Sequence, residues 1–308
     1  MPDRPRVLAR LACALPVAVL ALASASTASD SLHPDSLSLE CDAASVPQGG
    51  LVRCLTAPNA RVEVDGVSRA RADGEGRATI GVGRDAEGTL RIQAFRGRGE
   101  EAGSAPVAVA ITDQPFAFSV VPGLDCAKVS VFTKEQLADI RAATAKKNAA
   151  VTVFAEGPGA HEGFLLPAEG RRSSPYGTRR RLEGVQDDGE TCQKVRTHWG
   201  LDIAAPTGTP VIAPAPGVVT LADELYFEGN AIFLDHGHGL MSVFMHLSEL
   251  DVVAGEEVAA GEVVGKIGAT GTATGPHLHW GLKVRNPVSD NRSADFYVDP
   301  AVALRLDE

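Results

Sequence analysis

Four histidines and one aspartate have the residue types and the spacing of a metal site. His277 and His279 are two residues apart in a β-prone stretch, so both imidazoles should leave the same face of a strand. His198 and Asp202 lie together in an upstream segment, and His246 lies in a third. Zinc binds neutral imidazoles and carboxylates, and a catalytic zinc keeps one position open for water. These residues therefore predict a hydrolytic zinc centre.

Five stretches that hold or flank these residues resemble the lysostaphin and LytM-type zinc endopeptidases of peptidoglycan, in both order and approximate spacing. The stretches are S-P-Y-G-T-R at 174–179, H-W-G-L-D-I-A-A-P-T-G-T-P-V at 198–211, G-N-A-I-F-L-D-H-G-H-G-L at 229–240, F-M-H-L-S at 244–248 and T-G-P-H-L-H-W at 274–280. The resemblance is highly specific and covers about residues 165–303. It implies an antiparallel β-sheet with a zinc-containing groove.

The resemblance also implies a role for each of the five residues. His198, Asp202 and His279 are expected to bind the cofactor, a zinc ion (Zn2+), with a water in the fourth position. His277 is expected to act as the general base that takes a proton from that water. His246 is expected to stabilise the oxyanion or to protonate the leaving amine.

The other histidines are interpreted as structural residues. His33 and His161 are isolated, while His236 and His238 lie in D-H-G-H-G, a predicted turn between strands. A second metal site at that turn is the less favoured alternative. The three arginines at 179–181 are interpreted as surface charges, with contact to a substrate carboxylate as the alternative.

The C-terminal part, residues 164–308, should hold the site on β-strands. Short apolar stretches alternate with turns rich in glycine and proline, a pattern that keeps long helices out. The spacing of His198 and Asp202 would suit a helix, but Gly200 between them favours an extended or looped backbone. The stretch 179–197 is long for the family and is expected to reshape the substrate groove.

The N-terminal part should form a second, smaller β domain. Residues 29–115 contain short β-type stretches with turn signals about every ten residues, which predicts an immunoglobulin-like β-sandwich. Two Asp-Gly turns, at 65–66 and 73–74, should each close a hairpin.

A linker, residues 116–163, should join the two domains and contain one helix. Thr133 and Gln136 have the spacing of a capping box, which predicts a helix from Lys134 to about residue 147. The predicted fold class is therefore all-β with a single linker helix.

The first 28 residues have the pattern of a secretory signal peptide. Arginines precede an apolar run at 11–23 and small residues follow it, so cleavage is expected after Ala25 or Ala28. The run is shorter than the ~20 residues of a spanning helix, so no stable membrane anchor is predicted and an anchor is the less favoured alternative. The protein is expected to cross the inner membrane and act in the periplasm, with an extracellular location as the alternative.

Charge and cysteine content fit an exported protein that does not bind nucleic acid. The 308-residue chain has a formal charge of −10 at pH 7, which is the wrong sign for binding phosphates. Four cysteines follow the signal segment and allow three pairings. We favour Cys41 with Cys54, which flank a short β-rich stretch, and Cys126 with Cys192, which would join the linker to the catalytic domain. Four unpaired thiols are the alternative, which an oxidising compartment disfavours.

Together these features predict an exported zinc metalloendopeptidase that hydrolyses the peptide cross-links of bacterial peptidoglycan. The preference for a D,D-type bond comes from the resemblance alone. One alternative is a cell-wall binding or activating protein without hydrolytic activity, and another is a zinc peptidase that acts on other proteins. The predicted partner is the cross-link peptide, and no oligomeric state is predicted.

Overall fold

The computed structural model describes most of the chain after residue 36, namely residues 37–97, 103–129, 132–186, 188–286 and 295–304. The predicted signal peptide and His33 lie outside these residues. Within them, no helix is both long and apolar enough to cross a membrane. The secondary structure is mostly strands, so the predicted all-β class is confirmed.

Eight strands on the N-terminal side form two sheets around a common apolar core. They are β1 (Glu40–Cys41), β2 (Ser45–Pro47), β3 (Leu51–Leu55), β4 (Arg61–Val64), β5 (Val67–Arg71), β6 (Arg77–Gly81), β7 (Thr89–Phe95) and β8 (Val107–Thr112). Strands β1, β3 and β6 form one sheet, and β2, β8, β7, β4 and β5 form the other. Val52, Val62 and Ile92 from both sheets are fully buried in this core. The immunoglobulin-like assignment of this sandwich stays a prediction.

The two Asp-Gly turns differ in what they connect. Asp65 and Gly66, both with positive φ, join β4 to β5 in the predicted hairpin. The second predicted hairpin is wrong, because β5 and β6 lie in different sheets. The Asp73 carboxylate accepts the backbone N–H groups of Glu75 and Arg77, and the turn that it closes carries the chain to the other sheet.

The linker contributes a strand and two helices. These are β9 (Phe118–Asp125), a single turn α1 (Cys126–Val129) and α2 (Lys134–Ala150). Helix α2 begins with the predicted capping box, in which Thr133 and Gln136 each accept the backbone N–H of the other. The predicted helix is confirmed, and it extends to Ala150 rather than ending near residue 147. The single turn α1 is a second helix, which the sequence did not predict.

Most strands of the C-terminal half form one large antiparallel sheet. The strands of this half, of which all but β11 and β12 belong to the large sheet, are β10 (Arg171–Ser174), β11 (Arg179–Val185), β12 (Thr191–Thr197), β13 (Leu201–Ala204), β14 (Pro210–Ile212), β15 (Gly217–Leu225), β16 (Gly229–Gly237), β17 (Leu240–Leu250), β18 (Glu257–Val258), β19 (Val263–Ile267), β20 (Leu278–Val284) and β21 (Phe296–Val298). A 3-10 helix, Pro300–Ala303, follows them. The main order is β10-β13-β20-β17-β16-β15-β18, with β14, β19 and β21 paired beside it. Phe164, Phe244 and Trp280 are fully buried in its core. The predicted antiparallel sheet is confirmed.

A separate three-stranded sheet combines the linker with the C-terminal half. Strand β11 pairs antiparallel with β12 and parallel with β9. A disulfide between Cys126 and Cys192 joins the residue after β9 to β12. A second disulfide, between Cys41 and Cys54, joins β1 to β3. Both favoured pairings are confirmed.

The sandwich packs directly against the C-terminal half. The Nε of Arg53 donates to the carbonyl of Ala160 at 2.7 Å, and Nε2 of His238 lies 3.2 Å from Oδ2 of Asp73. These contacts join residues that are far apart in the chain. The predicted domain boundaries, after residues 115 and 163, stay predictions.

Candidate metal centre

Sheet register brings two of the predicted ligands together. Asp202 on β13 and His279 on β20 are directly opposite each other in the antiparallel pairing, where facing side chains lie about 5 Å apart. His198 directly follows β12 and reaches the same point from the end of the three-stranded sheet. Gly200 allows this close approach, because a Cβ there would lie 2.5 Å from the carbonyl oxygen of Trp280.

Three side-chain atoms converge. The Nε2 atom of His198 lies 2.8 Å from Oδ1 of Asp202, and Nδ1 of His279 lies 2.9 Å from the same oxygen. The two nitrogens are 2.9 Å apart, and all three residues are buried. Two imidazole nitrogens and one carboxylate oxygen within reach of a single ion fit a tetrahedral cation with one open position.

Further hydrogen bonds determine which atoms face this point. The Nδ1 of His198 donates to the carbonyl of Pro175 at 2.9 Å, which leaves the Nε2 lone pair available to a metal. Arg180 donates to Oδ2 of Asp202 at 2.7 Å, which leaves Oδ1 available. Outer hydrogen bonds of this kind orient metal ligands and select their tautomers.

The protonation states also suit metal binding. Burial alone would raise the pKa of Asp202, but the close contacts of its carboxylate with the rings of His198 and His279 lower that pKa well below the usual range. Burial lowers the pKa of His279, so its ring is neutral at neutral pH. Ionised carboxylates and neutral imidazoles are the forms that bind metals.

The two remaining predicted histidines lie beside this donor set. The Nε2 atom of His277 is 3.8 Å from Oδ1 of Asp202, and its Nδ1 donates to the carbonyl of Gly275 at 2.8 Å. His246 on β17 donates from Nδ1 to the carbonyl of Thr270 at 2.9 Å. The rings of His246 and His277 are 4.9 Å apart. The structure thus brings all five predicted residues to one place.

A β-bulge directs His246 towards the site. Met245 and His246 together oppose a single residue, Ala231, on β16, which interrupts the alternation of the strand. His246 has a φ of 67°, in the left-handed region that non-glycine residues rarely adopt. Burial, and then the neighbouring His279 and His277, lower the pKa of His246 to about 4, so this ring is also neutral at neutral pH.

The described histidines outside the site have structural partners. His236 lies within β16 rather than in the predicted turn, and its two nitrogens contact the carbonyl of Pro216 at 2.9 Å and Oγ of Ser242 at 2.8 Å. His238 follows in the turn, and Nε2 of His161 lies 3.1 Å from a backbone carbonyl of the sandwich. In the part of the chain that the structure describes, the His/Asp/His donor set is the one group that could hold a metal. The alternative metal site at D-H-G-H-G therefore has no support.

Arg180 is the site residue that the sequence interpretation missed. It is not a surface charge: its guanidinium bonds Asp202 and also Oγ of Ser174 at 2.5 Å, and it is partly buried. Its neighbour Arg179 is exposed, because successive residues of a strand face opposite sides. Three consecutive arginines hide this alternation, so no sequence signal identifies the inward one.

An open groove of about 750 Å³ contains the donor set. Val120 and Leu124 of β9 line it, together with Leu182 of β11 and Arg196 of β12. Strands β11 and β12 come from the long stretch 179–197, so this stretch forms part of the groove. All five site residues line this groove.

Comparison with known proteins identifies the family of this part of the chain. The model of peptidase family M23 matches residues 196–291, which include all five predicted site residues. Over 98 residues the chain is 44% identical to the DD-carboxypeptidase/endopeptidase Mpg of Neisseria meningitidis, a match that covers 30% of this chain and 23% of that protein. Over 93 residues it is 41% identical to the peptidoglycan DD-endopeptidase ShyA of Vibrio cholerae, covering 30% and 22%. The chain thus spans less than a quarter of the length of these relatives.

A solved structure extends the similarity to most of the fold. The crystal structure of an M23 peptidase candidate from Pseudomonas aeruginosa matches with a TM-score of 0.57 and 28% identity, covering 84% of this chain and 94% of that one. The match therefore includes much more than the catalytic sheet. With the donor set, the register and the motif matches in agreement, the chain contains a domain of peptidase family M23, the family of lysostaphin and LytM.

Proposed function

We propose that the protein is an exported zinc metalloendopeptidase that hydrolyses the peptide cross-links of bacterial peptidoglycan, with a D,D-type bond as its target. The observation that carries this proposal is the convergence of His198, Asp202 and His279 in an open groove, with His246 and His277 beside them. Relatives named as DD-endopeptidases support the choice of substrate.

The donor set favours zinc as the metal. Zinc accepts imidazole and carboxylate ligands in a tetrahedral geometry, and three protein ligands are typical of its catalytic sites. His198 would bind through Nε2, Asp202 through Oδ1 and His279 through Nδ1. A zinc ion held there supplies a Lewis acid that lowers the pKa of water and polarises the scissile carbonyl.

We expect His277 to take a proton from the attacking water. Its Nδ1 must carry the hydrogen, because the carbonyl of Gly275 that it contacts can only accept. When the ring acts as a base, its lone pair is therefore on Nε2, which lies 3.8 Å from Oδ1 of Asp202. A general base needs such an acceptor within one hydrogen bond of the reacting water.

We expect His246 to deliver a proton to the leaving amine. Its Nδ1 donates to the carbonyl of Thr270, so Nε2 of the neutral ring is an acceptor. A neutral Nε2 can donate neither to an oxyanion nor to the leaving amine, so His246 can act in either role only after it has been protonated. That proton would be the one that His277 removes from the attacking water, and the rings of His277 and His246 are 4.9 Å apart.

Export to the periplasm is supported by two independent features. Residues 1–28 have the pattern of a signal peptide. The structure contains two disulfides, and disulfides persist in oxidising compartments such as the periplasm. Peptidoglycan lies in the same compartment, so the proposed location and substrate agree.

Digestion of purified peptidoglycan tests the proposal. The soluble fragments are separated and identified by mass, and the metal content is measured on the same protein sample. We expect cross-linked dimers to disappear and about one zinc per chain. His277→Ala should keep the metal and lose hydrolysis, whereas His279→Ala should lose both. His161→Ala, which changes a histidine outside the groove, should keep both.

Two results would contradict the proposal. Zinc-loaded protein that leaves every cross-link intact but cleaves an unfolded protein would be a peptidase with another substrate. Protein that sediments with peptidoglycan but binds no zinc and releases no fragment would be a binding or activating protein.

A further inference from the structure

Two arginines face each other on the groove wall. Arg180 and Arg196 are direct partners in the antiparallel register of β11 and β12, and both line the groove. Like charges directly opposite each other destabilise a strand pair. The whole chain has a formal charge of −10, so a pair of cations at this position is not a consequence of overall composition. The pairing favours an anionic group as a ligand of the groove.

The two arginines differ in how their charge is balanced. Arg180 bonds the carboxylate of Asp202. Arg196 forms no ion pair with a carboxylate among the described residues, and the carboxylate of Glu228 stabilises its charge only from beyond contact distance. One of its N–H groups donates to the carbonyl of Val129 at 3.0 Å, and its guanidinium lies over the ring of Phe227, 5.3 Å from the centroid. A guanidinium has five N–H donors, so several donors of Arg196 remain for a ligand.

Arg196 is also close to the reacting groups. It precedes His198 by two residues, and backbone pairing continues through His198, so both side chains leave the same side of β12. Phe227, which supports the guanidinium, is followed by Glu228, whose carbonyl accepts the backbone N–H of His246. The carboxylate of Glu228 is itself bonded to a lysine of α2 at 2.6 Å. These contacts place the guanidinium of Arg196 beside the segment that pairs with the backbone of His246.

We propose that Arg196, with Arg180 beside it, binds a carboxylate of the substrate on the residue that supplies the leaving amine. This subsite rests on the proposed function and deepens it. In a D,D-type cross-link the leaving nitrogen is attached to an α-carbon, which carries a carboxyl group of its own, and this group is an anion where it forms no further amide bond. A guanidinium binds a carboxylate through two charge-assisted hydrogen bonds. An amide in place of the carboxylate has no negative charge and offers the guanidinium one acceptor oxygen fewer.

A matched pair of substrates tests this subsite. One is a cross-linked dimer with a free carboxylate beside the scissile nitrogen, and the other is the same dimer with that carboxylate amidated. Amidation should lower the kcat/KM of the wild type about tenfold or more, mainly through KM. Arg196→Gln should lower the kcat/KM for the substrate with the free carboxylate by a similar factor, and it should not change the kcat/KM for the amidated substrate. Arg196→Lys should recover part of the loss, because it keeps the charge but not the planar fork.

Arg179→Gln is the matched control. It removes the same charge from the neighbouring residue of β11, which is exposed on the opposite face. This variant should behave as the wild type on both substrates. A melting temperature for each variant shows whether the fold is intact.

Several results would overturn the subsite. If the wild type cleaves the free-carboxylate dimer and the amidated dimer with equal kcat/KM, the subsite is excluded and the peptidase function is retained. If Arg196→Gln lowers kcat/KM equally for both substrates, the subsite is likewise excluded and the peptidase function is retained. If the wild type cleaves neither dimer, the proposed function fails. Calorimetric titration of the uncleaved dimers then decides the subsite separately, because equal dissociation constants for acid and amide would exclude it.

Discussion

Gly200 leaves no room for a side chain beside the metal centre. A Cβ at this position would lie 2.7 Å from Nε2 of His279 and closer still to the backbone of Trp280. We expect Gly200→Ala to displace the His279 ring and to weaken zinc binding about tenfold or more. Competition with a chelator of known affinity measures the change.

Gly74→Ala is the control for this substitution. A Cβ there meets nothing within 4 Å in the described part of the chain, so zinc affinity should not change. An unchanged affinity in Gly200→Ala as well would mean that the ring of His279 can shift without losing its ligand position.

At the scale of single residues, the sequence predicts which residues form the metal site better than it predicts the direction in which each side chain points. The five site residues are identified without coordinates, because imidazoles and a carboxylate at these motif positions together are typical of a metal site. Arg180 is not identified, because its role depends on the face of β11 that it leaves and on the strand that faces it. The position of His236 depends in the same way on where β16 ends.

At the scale of elements, helix α2 depends on its first turn. Thr133→Ala removes a side-chain acceptor for the N–H of Gln136 and should lower the free energy of unfolding by about 1 kcal/mol. Thr144→Ala, on the same helix, removes only a bond to the carbonyl of Ile140, which contributes little to a helix. Urea denaturation of both variants checks the difference, and equal losses would contradict it.

The two disulfides should contribute unequally to stability. Cys126 and Cys192 are separated by 66 residues, and Cys41 and Cys54 by 13. A longer closed loop removes more entropy from the unfolded chain, which corresponds to about 4 kcal/mol for the first bond and about 3 kcal/mol for the second. We expect serine replacement of the 126–192 pair to lower the free energy of unfolding more, as measured by urea denaturation. The reverse order would show that native packing, not chain entropy, dominates.

An Asp-Gly turn signal predicts a hairpin correctly only where the two strands that it joins pair with each other. Asp65 and Gly66 adopt the backbone of a tight hairpin turn, and the strands that they join do pair. The second Asp-Gly turn has the same sequence signal, yet its strands separate because β6 pairs with β3. The choice between the two outcomes depends on the burial of Ala78 and Ile80 in the sandwich core, a long-range effect that turn chemistry does not contain.

At the scale of the whole molecule, Asp73 should couple stability to pH. Burial alone would raise its pKa, but bonds from the Arg77 side chain and from backbone N–H groups of its turn lower it from 3.8 to about 2. Because the folded-state pKa is lowered, ionised Asp73 stabilises the fold above about pH 4, and this stabilisation is lost as the pH falls through about 2. The contribution at neutral pH is about 2 kcal/mol.

Asp73→Asn tests this coupling. The variant should be less stable than the wild type at pH 7, because the charge that faces Arg77 and His238 is removed. The difference in free energy of unfolding should shrink as the pH falls below about 4. A difference that stays constant between pH 7 and pH 3 would show that Asp73 acts through its hydrogen bonds alone.

The packing of the sandwich on the C-terminal half could not be predicted from the sequence. It depends on contacts such as Asp73 with His238 and Arg53 with Ala160, and none of these residues has a distinctive motif there. Each one resembles an ordinary turn or surface residue in its local sequence. Periodicity predicts which face of an element is apolar, but it does not predict which element covers that face.

The left-handed backbone at His246 bears on how such a site would be lost during evolution. A non-glycine residue in this region costs about 1 kcal/mol, whereas glycine adopts it without steric strain. In a lineage no longer selected for hydrolysis, glycine at this position would relieve that strain, so selection for stability would favour the replacement. The histidine would then be among the first site residues to disappear from a descendant that retained only a binding role, while the bulge itself would remain, because glycine fits it.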